Sequence, residues 1–262
     1  MNDLLVLCYH AVSPRWQMPY AVTPQRLHAQ VRRLLRAGYA PMTAGAALDP
    51  AAAGRRLAVT FDDALVSVRE HALPVLGALG VPATVFACTG WVGSVEPMTI
   101  GYDRWLGSPH EHELHSLGWD DLAALRAQGW EIGSHTCTHP RLTELDEGAL
   151  EHELTASRSS LEQRLGAPCR TLAYPHGDCD DRVVAAAAAA GYRLAFTARA
   201  GTGAADRLRV PRAVVLHDDG RARLALKTSP AARRLRGSDR AWRVLAGGYR
   251  AVGGGRGHRG PA

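Results

Sequence analysis

Short apolar runs alternate with helix-forming segments along most of the 262-residue chain. The runs have the length of buried strands, and the segments between them carry apolar residues at helical spacing. This alternation is typical of β/α units built around a mainly parallel sheet. We therefore expect an α/β fold, a distorted or incomplete (β/α) barrel of about seven parallel strands.

Several of the predicted strands end in polar residues. The first ends beside His10, the second beside Asp62 and Asp63, the fourth beside His135 and the fifth at Tyr174. In (β/α) barrels the catalytic residues lie at the C-terminal ends of the strands, so these groups are expected to converge at one mouth. The predicted strands cover residues 4–9, 57–61, 83–87, 130–134, 171–174, 193–197 and 209–215. A long irregular stretch, residues 90–118, is of the kind that is often functional.

Two histidines and a pair of carboxylates indicate a metal site. His135 and His139 are four positions apart, so both rings can face one way if the chain turns helical there. Two imidazoles and one carboxylate form a facial site for a divalent metal, with positions left open. Of the adjacent Asp62 and Asp63, one can then bind the metal while the other takes a proton. The acidic pair also suits a helix N-cap, and that alternative stays open at this point.

Residues 60–63 (Thr-Phe-Asp-Asp) and 135–139 (His-Thr-Cys-Thr-His) form two specific motifs. Through them the sequence resembles the polysaccharide deacetylases with a NodB-type domain, the family-four carbohydrate esterases. The resemblance extends over roughly residues 4–220 and includes similar segments at 80–86, 129–134, 173–177 and 191–192. Residues 7–12 and 22–27 resemble the subgroup that deacetylates poly-N-acetylglucosamine, in which the first strand ends in a YHxV motif.

The resemblance implies a role for each matching residue. Asp63, His135 and His139 would bind a divalent metal, and Asp62 would be the general base that activates water. Zinc is the expected ion, although cobalt, nickel or iron suit the same donors. The main-chain amide of His176 would face the oxyanion, with its ring as an additional contact.

Two histidines compete for the role of general acid. The YHxV-like segment makes His10 the favoured residue, because that motif supplies the acid in the subgroup. His217 lies in a Leu-His pair that is similar to a C-terminal motif of many members, and it remains the alternative. A buried structural histidine is the other interpretation of His10.

The sequence also departs from the family pattern. Ala64 replaces the usual glycine after the acidic pair, and Ala173 stands where many members carry an arginine. Whatever orients Asp62 must therefore come from elsewhere, and Arg212 is a candidate. Tyr174, Pro175 and Arg212 are candidate substrate-binding residues, and His176 stands where tyrosine is more common.

Charge is distributed unevenly along the chain. Residues 221–262 hold 11 Lys and Arg against one acidic residue, Asp239, whereas residues 1–220 hold 20 basic and 24 acidic residues. We predict a catalytic domain at 1–220 and a basic, Gly/Arg-rich, poorly ordered tail at 221–262. The tail suits weak contact with a membrane surface. The body has no basic stripe, and no nucleic-acid binding is expected.

The predicted function is removal of an N-acetyl group from an amino sugar. No apolar run is long enough to span a membrane, the start resembles no secretory leader, and five scattered cysteines suggest reduced thiols. A cytoplasmic enzyme, peripheral at the inner membrane face, is therefore expected, with a nucleotide- or lipid-linked amino sugar as substrate. The alternatives are deformylation or hydrolysis of a non-sugar amide, and a non-catalytic metal- or glycan-binding module.

Overall fold

The computed structural model describes residues 2–198 and 206–236. Within these residues, nine strands pair in parallel to form one sheet, and two further strands form a small parallel pair. In chain order the strands are β1 (Asp3–Tyr9), β2 (Ala11–Val12), β3 (Ala21–Val22), β4 (Ala40–Met42), β5 (Arg55–Phe61), β6 (Ala83–Ala87), β7 (Glu131–Ser134), β8 (Thr171–Ala173), β9 (Leu194–Thr197), β10 (Val210–Pro211) and β11 (Ala213–Val214).

The order of the strands bends the sheet into an almost closed barrel. It runs β10-β9-β8-β7-β6-β5-β1-β11, with β4 paired to the first half of β5, while β2 pairs with β3. Its two end strands, β10 and β11, are consecutive in the chain and separated only by Arg212. The predicted barrel of parallel strands is confirmed. The sheet has two more strands than expected, because β4 has an Ala-Pro-Met sequence without β-branched residues and the last predicted strand divides at Arg212.

Helices follow most of the strands. Thr23 caps the first helix by accepting a hydrogen bond from the Arg26 N–H, and Gly166 ends the longest in the left-handed conformation. A π-helical turn, Val68–Ala72, leads into the third. The helices are α1 (Pro24–Arg36), α2 (Ala44–Ala47), α3 (Leu73–Gly77), α4 (Trp119–Ala127), α5 (Glu147–Leu165), α6 (Asp181–Ala189), α7 (Arg221–Thr228) and α8 (Pro230–Arg236).

Alternate residues of the strands build two separate apolar layers. On β1, Leu5 and Leu7 belong to the large outer cluster that includes helix residues such as Leu27 of α1. Leu4 and Val6, which alternate with them along the strand, belong to a second cluster drawn from the strands and α2. This second cluster fills the barrel interior, and its other strand members are Ala58, Phe86, Ala173, Leu194, Phe196 and Val210. Because side chains alternate between the interior and the helix-facing layer, this alternation also decides which residue just after each strand faces the barrel interior.

Helix α2 closes the N-terminal end of the barrel. The Ala44 N–H donates to Thr84 Oγ1 at 2.8 Å, and the Gly45 N–H donates to Glu131 Oε2 at 2.8 Å. Glu131 also accepts from the hydroxyls of Thr84 and Thr171, each at 3.0 Å. These bonds satisfy the polar groups at that end, so the opposite end remains for the functional site.

The prediction of a poorly ordered tail is wrong for its first part. Residues 221–236 form α7 and α8, and the 3% exposed Arg233 of α8 binds Asp3 Oδ2 at 2.7 Å and the Leu4 carbonyl at 2.5 Å. A buried ion pair with the start of β1 holds this segment against the barrel. The basic residues from 237 onwards lie outside the described residues. Within the described chain, no helix has both the length and the apolar character needed to cross a bilayer.

Close packing inside the barrel gives a testable prediction at Gly133 of β7. A Cβ at this position would lie 2.5 Å from Thr171 Oγ1 and 2.6 Å from Phe86 Cε1. Gly133→Ala is therefore expected to lower the free energy of unfolding by about 1–3 kcal/mol in urea denaturation. Gly77→Ala is the control, because no atom lies within 4 Å of its Cβ position, and it should be neutral or stabilise by up to about 1 kcal/mol. Equal effects at the two sites would contradict the packing account.

Candidate active site

On four strands, the alternation of residues that face the barrel interior continues past the C-terminal end of the strand, where the next inward-facing residue is polar. His10 follows the interior series of β1, Asp62 that of β5, His135 that of β7, and Arg212 that of β10. All four line a cavity of about 320 Å³. Asp63, His139 and His176 line it as well. The expected convergence of polar groups at one mouth of the barrel is therefore present.

The turns at this mouth hold strained backbone. Among the described residues, five non-glycine residues have φ between 52° and 68°, in the left-handed region. Such conformations cost about 1–3 kcal/mol each and occur mainly at functional sites. All five lie in turns after β5, β7 and β8: Asp63, Ala64, Thr136, His139 and His176. The usual glycine of the first motif is replaced by Ala64, which nevertheless keeps φ at 52°.

The three predicted metal ligands lie together. Asp63 Oδ1 is 3.7 Å from His135 Nε2 and 3.9 Å from His139 Nε2, and the donor atoms of all three residues lie within 4.8 Å of one another. These separations are too long for hydrogen bonds, so the three donors face a common point without binding each other. Their side chains are 2–12% exposed.

The chemistry of these donors fits a divalent ion. His135 Nδ1 lies 2.7 Å from the carbonyl of Ala173, and donation to that carbonyl leaves a lone pair on Nε2. Burial lowers the pKa of His135 to about 4, so the ring is neutral near pH 7, as a metal ligand must be. His139 Nδ1 is buried and has no hydrogen-bond partner within the described residues.

Glu153 of α5 shapes the turn that carries the two histidines. Its Oε2 accepts from the backbone N–H groups of Cys137 at 2.7 Å and Thr138 at 3.0 Å. Its Oε1 accepts from the Thr138 hydroxyl at 2.6 Å. One buried carboxylate thus satisfies two otherwise unpaired backbone donors and fixes the positions of His135 and His139.

Asp62 forms a buried bidentate ion pair with Arg212. Nη1 donates to Oδ1 at 2.6 Å and Nη2 donates to Oδ2 at 2.8 Å, while the side chains are 5% and 1% exposed. Burial by itself raises the pKa of Asp62, but the charge and hydrogen bonds of Arg212, together with nearby His135, outweigh it and hold the pKa well below its usual range. Asp62 therefore remains ionised, as a proton acceptor must be.

A second group of donor atoms lies beside the first. Cys8, His10 and Asp62 also place possible ligand atoms within 4.8 Å of one another, and the Cys8 thiol is 3.4 Å from Asp62 Oδ2. Both oxygens of Asp62 are already engaged by Arg212, and burial raises the pKa of Cys8 well above its usual range. A cation would have to displace the guanidinium and deprotonate the thiol. The Asp63–His135–His139 group is therefore the better metal site.

The two candidate acids lie in different places. His10 lines the cavity, packs against the Tyr20 ring at 4.8 Å between centroids, and has a buried Nδ1 without a partner in the described chain. His217 does not line the cavity, and its Nδ1 lies 2.9 Å from the carbonyl of Ala21 in β3. The geometry thus favours His10 for a role in the cavity.

The structure places the side chains of the candidate substrate-binding residues Tyr174 and Pro175 outside the cavity lining, so substrate contact by them stays a prediction. Both are buried and neither lines the cavity, because the Tyr174 hydroxyl points away and donates to the Leu208 carbonyl at 3.0 Å. Arg212 lines the cavity, but its guanidinium is engaged by Asp62, so it orients the Asp62 carboxylate rather than contacting substrate. His176 does face the cavity, and its ring lies 4.6 Å from that of His139.

Sequence reasoning missed Glu153 and Tyr102, both of which hold parts of the site. Tyr102 lies in the long irregular stretch between β6 and α4, and its hydroxyl donates to Asp63 Oδ2 at 2.7 Å. The length of that stretch was the available signal. Nothing in its residue pattern indicates which side chain reaches the site. Glu153 lies on a helix whose sequence gives no sign that this one acid is turned inward.

Comparison with known proteins shows which family the chain resembles. The family model for polysaccharide deacetylases matches residues 50–195, more than half of the chain. The chain belongs to the polysaccharide deacetylase family. The resemblance found in the sequence is thereby confirmed. Metal-dependent hydrolysis of N-acetyl amide bonds is the general activity of the family.

Individual relatives agree with this assignment. The chain is 24% identical over 208 residues to the putative polysaccharide deacetylase YxkH of Bacillus subtilis, covering 78% of this chain and 67% of that protein. It is 26% identical over 175 residues to the poly-β-1,6-N-acetyl-D-glucosamine N-deacetylase of Staphylococcus epidermidis, covering 63% and 56%. This deacetylase-family chain thus spans about half to two thirds of the length of the curated relatives it matches.

Solved structures share the fold. The deacetylase PplD of Streptococcus pyogenes, determined in complex with acetate, superposes with a TM-score of 0.72 at 23% identity, covering 87% of this chain and 99% of that one. IcaB from Ammonifex degensii gives a TM-score of 0.70 at 25% identity, covering 88% and 98%. These similarities extend over nearly the whole described barrel.

The Asp62–Arg212 pair gives a second testable prediction. Arg212→Met leaves a buried carboxylate without its counter-charge, and we expect a loss of about 3–5 kcal/mol in urea unfolding. Combining it with Asp62→Asn removes the stranded charge, so the double variant should be more stable than Arg212→Met alone. A double variant that lost the sum of both single effects would show that the two residues do not interact energetically.

Proposed function

We propose that this chain is a metal-dependent N-deacetylase that removes acetyl groups from an amino-sugar substrate. The observation that carries the proposal is the placement of an ionised Asp62, paired with Arg212, directly beside the three convergent donors Asp63, His135 and His139. One aspartate thus remains free for proton transfer while its neighbour belongs to the metal site.

The residues divide the reaction between them. A divalent ion, when bound, supplies Lewis acidity that polarises the amide carbonyl and lowers the pKa of water from about 15.7 toward about 7. Asp62 takes the proton of the attacking water, while Arg212 keeps the carboxylate oriented. The backbone N–H of His176 donates to the developing oxyanion, and His10 gives a proton to the departing amine.

Zinc is the ion we propose for this site. One carboxylate oxygen and two imidazole nitrogens are ordinary zinc donors and leave a coordination position open, which is the arrangement of catalytic zinc sites. Cobalt, nickel and iron accept the same donors. Elemental analysis of protein purified without added metal identifies the ion, and a manganese- or magnesium-only protein would contradict the proposal.

The substrate we propose is an N-acetylglucosamine unit, by analogy with the staphylococcal relatives, whose names specify poly-β-1,6-N-acetyl-D-glucosamine. Whether the unit is polymeric, nucleotide-linked or lipid-linked is a question for the assay panel. A cytoplasmic location is also proposed, and its support is that Cys8, Cys88, Cys137 and Cys169 are free thiols. Weak membrane contact through the basic residues after 236 belongs to the same proposal.

A binding module is the competing function from another class. Such a module needs only the three ligands, whereas this chain also buries an aspartate and an arginine at a substantial desolvation cost. That cost is understandable if Asp62 acts on a proton. An acetate-release assay separates the two functions, because a binding module would bind metal but release no acetate.

The test is acetate release by the zinc-loaded protein. The panel contains free, nucleotide-linked, lipid-linked and oligomeric N-acetylglucosamine, together with N-formyl and non-sugar amides. We expect Asp62→Asn to lower kcat/KM by about 10²–10⁴-fold while zinc content stays at the wild-type level, since the acid is not a ligand. His10→Gln should cause a loss of the same order.

His217→Gln is the matched control for His10→Gln, because this second histidine lies outside the cavity, and its activity should stay within about twofold of wild type. Circular dichroism verifies that each variant is folded. Release that survives Asp62→Asn, or that falls equally in the His10 and His217 variants, would contradict the assigned roles. Formate release without acetate release would identify a deformylase instead.

A further inference from the structure

Tyr102 reaches the metal site from the segment between β6 and α4. No residue of this segment has a role in the proposed chemistry. It is 7% exposed, and its hydroxyl donates to Asp63 Oδ2 at 2.7 Å. Because ionised Asp63 only accepts hydrogen bonds, Tyr102 is the donor of this bond.

The two oxygens of Asp63 face different partners. Oδ1 is the oxygen directed at both histidines, 3.7 Å from His135 Nε2 and 3.9 Å from His139 Nε2. Oδ2 is the oxygen that accepts from Tyr102. A carboxylate with one oxygen engaged in this way cannot turn freely between one-oxygen and two-oxygen coordination of a metal.

We propose that Tyr102 is a positioning residue for the metal centre, and that it holds Asp63 Oδ2 so that only Oδ1 is offered to the ion. The inference rests on the metal site of the proposed function. Limiting Asp63 to a single donor atom keeps a coordination position open for the water and the substrate carbonyl. Partners that orient a ligand in this way typically contribute 10–100-fold to metal affinity.

The segment around Tyr102 is packed firmly enough to support this role. Its ring lies 6.2 Å from that of Trp16, which contacts Trp105 in turn at 5.6 Å. Met98 and Leu114 of the same segment are fully buried with Trp16 in one apolar cluster. The donor is therefore held in place by a core of its own.

The test compares Tyr102→Phe with Tyr39→Phe. Tyr39 is a matched control, because it is 4% exposed and also donates to a carboxylate, that of Asp3, which starts β1 at the opposite end of the barrel. Zinc dissociation constants are measured by competition with a chromophoric chelator. We expect Tyr102→Phe to weaken zinc binding by about tenfold or more, and Tyr39→Phe to leave it unchanged.

Two further readouts separate positioning from a general loss of structure. In cobalt-substituted protein, freeing Oδ2 should allow two-oxygen coordination, and the visible d–d absorption of Tyr102→Phe should weaken and shift as the coordination number rises. If the metal-free variant does not fold, the rate of zinc release from loaded protein into excess chelator replaces the titration, with an expected increase of about tenfold.

The zinc affinities and cobalt spectra decide whether Tyr102 positions Asp63. Wild-type affinity and an unchanged cobalt spectrum in Tyr102→Phe would overturn the inference, and so would equal weakening in the two tyrosine variants. Asp63→Ala distinguishes this failure from failure of the proposed function. Loss of zinc in Asp63→Ala without loss in Tyr102→Phe refutes the positioning role alone. Undiminished binding in Asp63→Ala refutes the metal site itself, and the inference with it.

Discussion

The ion pair between Asp62 and Arg212 is the interaction on which the geometry of the site depends. Arg212 is the residue between β10 and β11, where the two ends of the sheet meet. From there its Nε donates to the Thr197 carbonyl at 3.3 Å and its Nη1 to Thr60 Oγ1 at 3.2 Å, in addition to the bidentate bonds to Asp62. One side chain thus joins the seam of the barrel to β5. A buried charge of this kind is tolerated because each of the three guanidinium nitrogens donates to at least one partner.

The turn after β5 then gives two adjacent aspartates different surroundings. Asp62 continues the interior face of the strand toward Arg212, whereas Asp63 adopts φ 68° and its Oδ1 faces the histidines. Backbone strain at Asp63 and Ala64 is the cost of separating the two carboxylates. Packing of the turn against neighbouring segments repays it, for example through the hydrogen bond from the Leu117 N–H to the Ala64 carbonyl at 2.8 Å.

Much of this arrangement could be predicted from the sequence, because its determinants are local. The ends of apolar strands indicated where His10, Asp62 and His135 would lie, and the spacing of His135 and His139 indicated a shared ligand site. Parallel pairing then made their convergence a consequence of the fold class.

The rest depends on contacts between segments that are distant in the chain. Arg212 lies 150 residues from Asp62 in sequence. The sequence made it a candidate to orient Asp62, but the pairing itself follows from barrel closure, which no local pattern encodes. The direction of the Tyr174 side chain could not be predicted, because an aromatic residue at a strand end suits either a cavity wall or the helix-facing layer, to which Tyr174 belongs. Tyr102 lies in an irregular stretch, where neither a period of two nor one of 3.6 predicts the direction of a side chain.

The most direct test of the account is the crystal structure of the zinc-loaded protein, with anomalous diffraction to locate the metal. The account predicts one strong peak bound by Asp63 Oδ1 and the Nε2 atoms of His135 and His139, at about 2.0–2.2 Å from each. The bidentate Asp62–Arg212 pair should remain intact beside it. A peak among Cys8, His10 and Asp62, with the guanidinium displaced, would contradict the central claim that one aspartate binds the metal while its neighbour stays free.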